Sequence, residues 1–357
     1  MRILAIDLAK AKSLFCWYAS DAPEPLIKTV FSTPAAFEQA LTERAVDRVV
    51  IEVCDMAGWI SDLCGRLSIP IQVANANGEA WRWKKVKTKT DRADALKLAR
   101  MSLLDELELV SVPDRPTRQW RGLILYRHRL LERRTRVKNV IHALMVSEGK
   151  AMKRGKETWS PESLAKLRAL AMPVEQCSDD QLWNGHLQLE LEQLDELNEK
   201  IEQLDRKLDA LGREDERVVR LQTIKGVGPR VAELTVAIID DPHRFKNARQ
   251  ISAYAGLTPR RYQSGEMDRS GRISKAGCGK LRKLLLQSAW VMVEHNAHGR
   301  GIFARISKGQ KTRRKQAAVA LARRILVWSW AMLRDGTDWK EPSGGNQRRV
   351  GTAPNPA

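Results

Sequence analysis

Two aspartates, Asp91 and Asp94, stand three residues apart in the stretch KTKTDRADALKLAR, straight after a run of lysines and at the start of helical patterning. Acids at i and i+3 of a helix share one face. Two further acids close apolar, β-branched runs: Asp7 ends RILAID, and Glu52 lies near the end of VDRVVIEV. In an open α/β sheet, groups at the ends of strands meet in one crevice. Four carboxylates gathered there suit Mg²⁺ or Mn²⁺, hard ions that take oxygen ligands. Two such ions about 4 Å apart can clamp the attacking and leaving oxygens of a phosphodiester. Each acid also has a plainer use. Thr90 suits an N-cap with Asp91 and Asp94 favouring the helix dipole, and Asp7 suits a strand-end turn.

The surrounding composition sharpens the choice. The chain has 357 residues with 62 Lys+Arg against 43 Asp+Glu, a net charge of +19. Such a balance points to a polyanionic partner. A bare carboxylate cluster would repel that partner, whereas bound divalent cations would reconcile the two. The five cysteines, Cys16, Cys54, Cys64, Cys177 and Cys278, are scattered without a CxxC pair, which argues against a disulfide framework or a zinc module and suits a reducing compartment. The N-terminal MRILAIDLAKAK reads as a strand rather than a signal peptide. No apolar run approaches the roughly 18 residues of a membrane span. The expectation is a cytoplasmic, nucleoid-associated protein with no membrane partner.

The acids must be positioned by elements, and these can be read in order. RILAID, LFCWYA (14–19), VDRVVIEV (46–53) and IPIQVAN (69–75) read as strands, with MAGWISDLCGRL as an intervening helix; that alternation indicates an α/β layer fold. From about 115 to 147 the chain is helical and basic, with Leu123, Leu130, Val137 and Ile141 forming a stripe beside Arg127, Arg134 and Lys138. A heptad seam follows in Leu194, Leu197, Ile201, Leu204, Leu208 and Leu211. It suits a coiled coil or an antiparallel helical hairpin, with dimerisation slightly favoured over a helix packed on its own domain. Residues 1–150 are expected to form the α/β domain, 151–214 a connector with the coiled coil, 215–336 a mainly α domain, and 337–357 a disordered tail.

The second domain carries its own candidates. Ser264 lies in AGLTPRRYQSGEMDRSGRISKAG, an aperiodic, loop-like stretch with Arg260, Arg261, Arg269, Arg272 and Lys275 around it. A serine hydroxyl is a weak nucleophile that needs a base, a metal or a field, so on residues alone a loop serine touching a backbone phosphate is favoured. TIKGVGPRVAELTVAI has a helix–GVG–helix pattern in which Gly226 and Gly228 would admit a phosphate to backbone amides, with Lys225 and Arg230 adding charge; a glycine C-cap between packed helices is the alternative. The cluster Lys308, Lys311, Arg313, Arg314 and Lys315 suits a phosphate track. Trp81 and Trp83 suit either stacking on a base or packing. The histidines, His295 and His298 included, lack metal-ligand spacing.

The chain resembles a known family at these residues. AIDLAK around Asp7, VIEV around Glu52 and KTDRADALKLA around Asp91 and Asp94 are similar to the D-E-D-D set of the RuvC-like, RNase H-like domain in DEDD-type insertion-sequence transposases, relatives of Piv-type DNA invertases. The stretch from RQISAYAGLTPRRYQSG to KLLLQSAW is similar to that family's C-terminal transposase domain. One departure is IEVCDMAGW, where the family usually has a small Thr-Gly turn after the Glu; Asp55 there offers a substitute ligand. The resemblance implies Mg²⁺ or Mn²⁺ at Asp7, Glu52, Asp91 and Asp94. It also implies that Ser264 forms a covalent 5′-phosphoserine link, with Ser270 and Ser274 as phosphate contacts. Further implied are DNA substrates (element ends and target), a guide RNA encoded by the element, and a homodimer or homotetramer. Rival functions are a water-using metal nuclease or junction resolvase, a non-catalytic nucleic-acid scaffold, and an inverter of one DNA segment.

Overall fold

The computed structural model describes residues 1–22, 24–75, 78, 90–150, 152, 153, 155–264 and 267–341. Trp81, Trp83 and most of the expected tail lie outside the described residues. The chain divides into two compact units, Met1–Gln119 and Trp120–Ala357.

The first unit is built on a five-stranded sheet: β1 (Arg2–Asp7), β2 (Lys12–Ala19), β3 (Leu26–Phe31), β4 (Arg48–Glu52) and β5 (Ile71–Ala74), in the order β3-β2-β1-β4-β5. The first three strands pair antiparallel as hairpins, while β4 and β5 join parallel to β1. Helices α1 (Pro34–Thr42), α2 (Ala57–Arg66) and α3 (Asp91–Leu103) complete it, and α4 (Arg115–Ser147) begins here. This mixed α/β layer is compatible with the RuvC-like expectation. Strand alternation divides the apolar residues cleanly. Leu4, Ile6, Val49 and Ile51 face Phe37, Ile60 and Leu63 of α1 and α2. Ile3, Ala5 and Val50 face Ala95, Leu98 and Ala99 of α3. Strand β3 escaped the pattern because only Val30 is buried in it, so an edge strand leaves no strong alternation to read.

The second unit contains the rest of α4, then α5 (Pro161–Leu170), α6 (Leu182–Glu214), α7 (Glu216–Gln222), α8 (Pro229–Ile239), α9 (Ala248–Tyr254), strands β6 (Pro259–Ser264) and β7 (Met267–Ile273), and α10 (Gly279–His295), α11 (Ala297–Ser307) and α12 (Arg314–Asp335). It is mainly helical, as expected. Leu221, Leu234, Leu285, Leu321 and Ile325 are among the residues of its main core.

The heptad seam is filled from within the chain. Leu194, Leu197 and Ile201 pack with Leu130, Val137 and Ile141 of α4 and Leu167 of α5. Arg127 pairs with Asp205 at 2.7 Å, and Arg134 bonds Asn198 at 3.2 Å. Seven residues forward on α4 match seven backward on α6, so the pair is an antiparallel hairpin. This replaces the intermolecular zipper favoured from the sequence: the narrow seam is closed by a helix of the same chain, and Arg127 and Arg134 turn inward to it.

Beside this hairpin, Glu233 of α8 is fully buried, against Gly212 of α6. Arg230 bonds it at 2.8 Å, pairs with Asp205 at 3.2 Å and also contacts Asp209. One guanidinium shared among three acids compensates Glu233 incompletely, and burial drives its carboxyl from an ordinary 4.5 up to about 7. The folded chain therefore holds a proton that the unfolded chain has released, and stability falls as pH rises through the window from 4.5 to about 7. Glu233→Gln is expected to remove this slope, an effect of up to roughly 3 kcal/mol above the window. Thermal melts of both proteins between pH 5 and 8 check it; parallel profiles would refute the assignment.

Candidate active site and nucleic-acid interface

Asp7 ends β1 and Glu52 ends β4, neighbouring parallel strands whose register sets Ile6 beside Ile51. The acids therefore stand side by side, about 4.8 Å apart in backbone terms. Both lie on the α3 face, because Ile3 and Ala5 precede Asp7 there and Val50 precedes Glu52. The direction of α3 is set at its other end. Arg48, at the start of β4, donates to the Ser102 carbonyl at 2.8 Å, and Ser102 Oγ donates to Gln72 at 2.7 Å. Eight residues back along the helix, about 12 Å, reach Asp94, while four residues forward along β4 span about 13 Å to Glu52. The α3 N-terminus thus lies at the strand ends that carry Asp7 and Glu52.

Asp94 is buried in the helix–sheet layer and Asp91 is exposed one turn earlier. Thr90 does cap the helix, its Oγ1 accepting from the Ala93 amide at 3.2 Å. Capping explains Thr90 and favours acids in the first turn. Four oxygen donors at one end of one sheet face fit a hard divalent cation by chemistry and by backbone placement. Their side chains are not gathered around a point: among the described residues no three His, Cys, Asp or Glu side chains are grouped to hold a metal ion. Asp55 is exposed in the turn after Glu52.

Ser264 belongs to the second unit. The stretch expected as a loop is instead a two-stranded ribbon, with Ser264 the last residue of β6 and opposite Met267 of β7. All six residues of β6 are exposed. The sequence signal was missed because a ribbon without a buried face needs no apolar alternation. Its pleat still sorts side chains. Tyr262 pairs with Arg269 and Ser264 with Met267, so these four share a face. Arg261 and Asp268 share the opposite face and form an ion pair at 2.9 Å. Of the cations predicted for this region, Arg269 is thus placed diagonally beside Ser264, while Arg260 shares that face farther along β6, toward the base. Arg272 and Lys275 are exposed at the base, where Arg260 donates to the Ser274 carbonyl at 3.4 Å.

The base of the ribbon is clamped. Lys275 N–H donates to the Gly256 carbonyl at 3.2 Å, and Arg282 of α10 donates to the carbonyls of Ala255 at 3.1 Å and Gly277 at 3.2 Å, and also to that of Ala276. Gly277 has φ +64°, and a Cβ there would collide with the Tyr254 carbonyl. Gly277→Ala is expected to cost at least about 2 kcal/mol, since both the left-handed backbone and the close approach oppose it. Urea denaturation measures this, and a loss below 0.5 kcal/mol, on the order of a surface change, would contradict it.

The helix–GVG–helix stretch is a turn between α7 and α8. Gly226 has φ +100°, and its α-carbon lies against α10, where a Cβ would come within 3.2 Å of the Ser288 carbonyl. Gly228 is exposed and serves as the α8 N-cap, Lys225 is exposed, and Arg230 is held by Asp205, Asp209 and Glu233. Lys225 and Gly228 thus remain open to a phosphate, whereas Arg230 braces α8 on α6. Burial pushes the Cys16 and Cys64 thiols up to about 11 and 12, which disfavours those two as nucleophiles. All five cysteines are free, and no helix among the described residues is long and apolar enough to cross a membrane.

Comparisons with known proteins agree with both halves. Residues 4–148 match a DEDD transposase family model, and residues 218–304 match that of the transposase IS116/IS110/IS902 family. The transposase for insertion sequence element IS1111A of Coxiella burnetii is 29% identical over 343 residues, covering 93% of this chain and 90% of that protein. A probable family 20 transposase of Pseudomonas aeruginosa is 29% identical over 258 residues, 71% of this chain and 74% of that protein. The pilin gene-inverting protein of Moraxella lacunata is 29% identical over 119 residues, 33% of this chain and 37% of that protein.

Proposed function

Because the chain belongs to the DEDD-type insertion-sequence transposases and is a DNA transposase, we propose that it breaks and rejoins strands at its element's ends through Ser264. In this scheme Ser264 Oγ attacks the scissile phosphorus, forms a phosphoserine ester to the 5′ end and expels a 3′-hydroxyl. Rejoining reverses the step with a different 3′-hydroxyl. Arg269, on the ribbon face of Ser264, holds the non-bridging oxygens and offsets charge that grows in the transition state. The observation that carries the assignment is the exposed Ser264 on a basic ribbon whose base is rigidly clamped, free to meet DNA without unfolding any core.

Asp7, Glu52, Asp91 and Asp94 would hold Mg²⁺ or Mn²⁺, which when bound supplies Lewis-acid activation of the phosphate. Their shared sheet face and the burial of Asp94 support this. The net charge of +19 leaves capacity for a further polyanion, consistent with a guide RNA that pairs with donor and target DNA while the protein holds its shape. A homodimer or homotetramer would bring two element ends together. The reading tests directly: element-end DNA, guide RNA and Mg²⁺ are incubated with the protein, and denaturing gels are examined for a strand linked to it. A water-using nuclease would cut the same DNA with no linked strand, and that result would replace this mechanism.

A further inference from the structure

Where α4 meets α10, a cavity of about 240 Å³ is lined by His128, Leu131, Glu132, Arg134 and Thr135 of α4 and Lys283 of α10. Three features mark it as built for an anion. First, His128 is nine-tenths buried, and its Nε2 has no hydrogen-bond partner among the described residues; buried polar atoms are ordinarily paired. Second, the cations there are incompletely neutralised. Glu132 is taken by Lys280 and Asp205 by Arg127. Arg134 has the neutral Asn198 amide at 3.2 Å, and no carboxylate lies within ion-pair distance of Lys283 among the described residues. Third, the wall holds an ammonium, a guanidinium fork and an imidazole, the set that a tetrahedral oxyanion satisfies.

We infer that this cavity binds a backbone phosphate of a nucleic-acid strand, with Lys283 and Arg134 contacting its oxygens and His128 completing the set. The free cavity keeps the imidazole neutral: burial, then Arg127, Lys280, Lys283 and Arg230, push His128 down to about 4. An arriving phosphate reverses that field, and His128 takes up a proton and donates it in a hydrogen bond. DNA and RNA offer the same phosphodiester. The inference uses the chain's handling of nucleic acid and is independent of Ser264 and of the four carboxylates, so a failure of either leaves the other standing.

The test follows the imidazole signals of full-length, histidine-labelled protein by NMR across pH. It is done in chloride, in inorganic phosphate at equal ionic strength, and with ten-nucleotide single strands of DNA and of RNA. The His128 pKa is expected to rise by at least about one unit with inorganic phosphate and with one or both strands; whichever strand acts identifies the source. Lys283→Gln, an exposed and fold-neutral change, is expected to abolish the rise. It should also weaken oligonucleotide binding about fivefold and lower the salt slope by roughly one. Lys246→Gln, at an exposed lysine elsewhere, is the control. A His128 pKa unmoved by all three ligands overturns the site. So does a response to inorganic phosphate with none to either strand, or a Lys283→Gln protein indistinguishable from the control.

Discussion

Ser264→Ala is expected to reduce strand transfer at least about a thousandfold, to background, with no protein-linked DNA, while affinity for element-end DNA stays within about twofold. The size follows from removing a covalent nucleophile rather than a contact. Binding should survive because the change deletes one exposed hydroxyl from a ribbon that buries no side chain in β6, and the arginines keep their charge. Ser270 and Ser274 give the internal comparison. Ser270 faces away from Ser264 by register, opposite Arg261, and Ser274 Oγ accepts from the Ala276 amide at 3.4 Å. Alanine at either should retain transfer within about tenfold, the scale of a lost phosphate contact. Covalent adducts recovered from the Ser264→Ala protein, measured on denaturing gels, would remove Ser264 from the mechanism.

The second large effect concerns the acids. Asp94→Asn and Glu52→Gln are each expected to lower transfer by about a thousandfold, since each removes a full negative charge from a shared set with little change of shape. Activity alone would not separate a ligand from a helix cap, so the deciding measurement is thermal stability against Mn²⁺. Wild-type protein should be stabilised by about 3 kcal/mol at a hundredfold excess over the dissociation constant, and Asp94→Asn should lose that gain. If Asp91 and Asp94 serve only the helix dipole, Asp91→Asn and Asp94→Asn would each lose about 0.5 kcal/mol, and the response to Mn²⁺ would be unchanged.

The acids were legible in sequence because each sits where a pattern breaks. Asp7 and Glu52 end apolar strands, and Asp94 opens the buried face of α3 just ahead of Ala95 and Leu98. Side-chain closure around an ion depends on torsions rather than on periodicity, and among the described residues it is not formed. The heptad seam was visible, yet its partner was not, because leucines at Leu194 and Leu197 bury equally well against another copy or against α4 of the same chain. Arg127 and Arg134 read only as cations beside the α4 stripe, and the pairing of Arg127 with Asp205 and of Arg134 with Asn198 follows only from the helix register. His128 gave no signal at all: a single histidine among arginines shows its isolation only once α10 covers it. Ser264 was singled out through family likeness, and the ribbon that carries it has no apolar code.

That ribbon has a consequence for which positions of this chain can change. Its strand order is fixed by the glycine clamp and by Arg282, while no position in β6 is committed to packing. Outward residues such as Gln263 and Met267 can therefore vary with almost no penalty in folding, so new contacts to DNA can be sampled one substitution at a time without compensating changes elsewhere. Under the proposed mechanism, the part of the molecule nearest the chemistry is also the part whose outward positions folding constrains least.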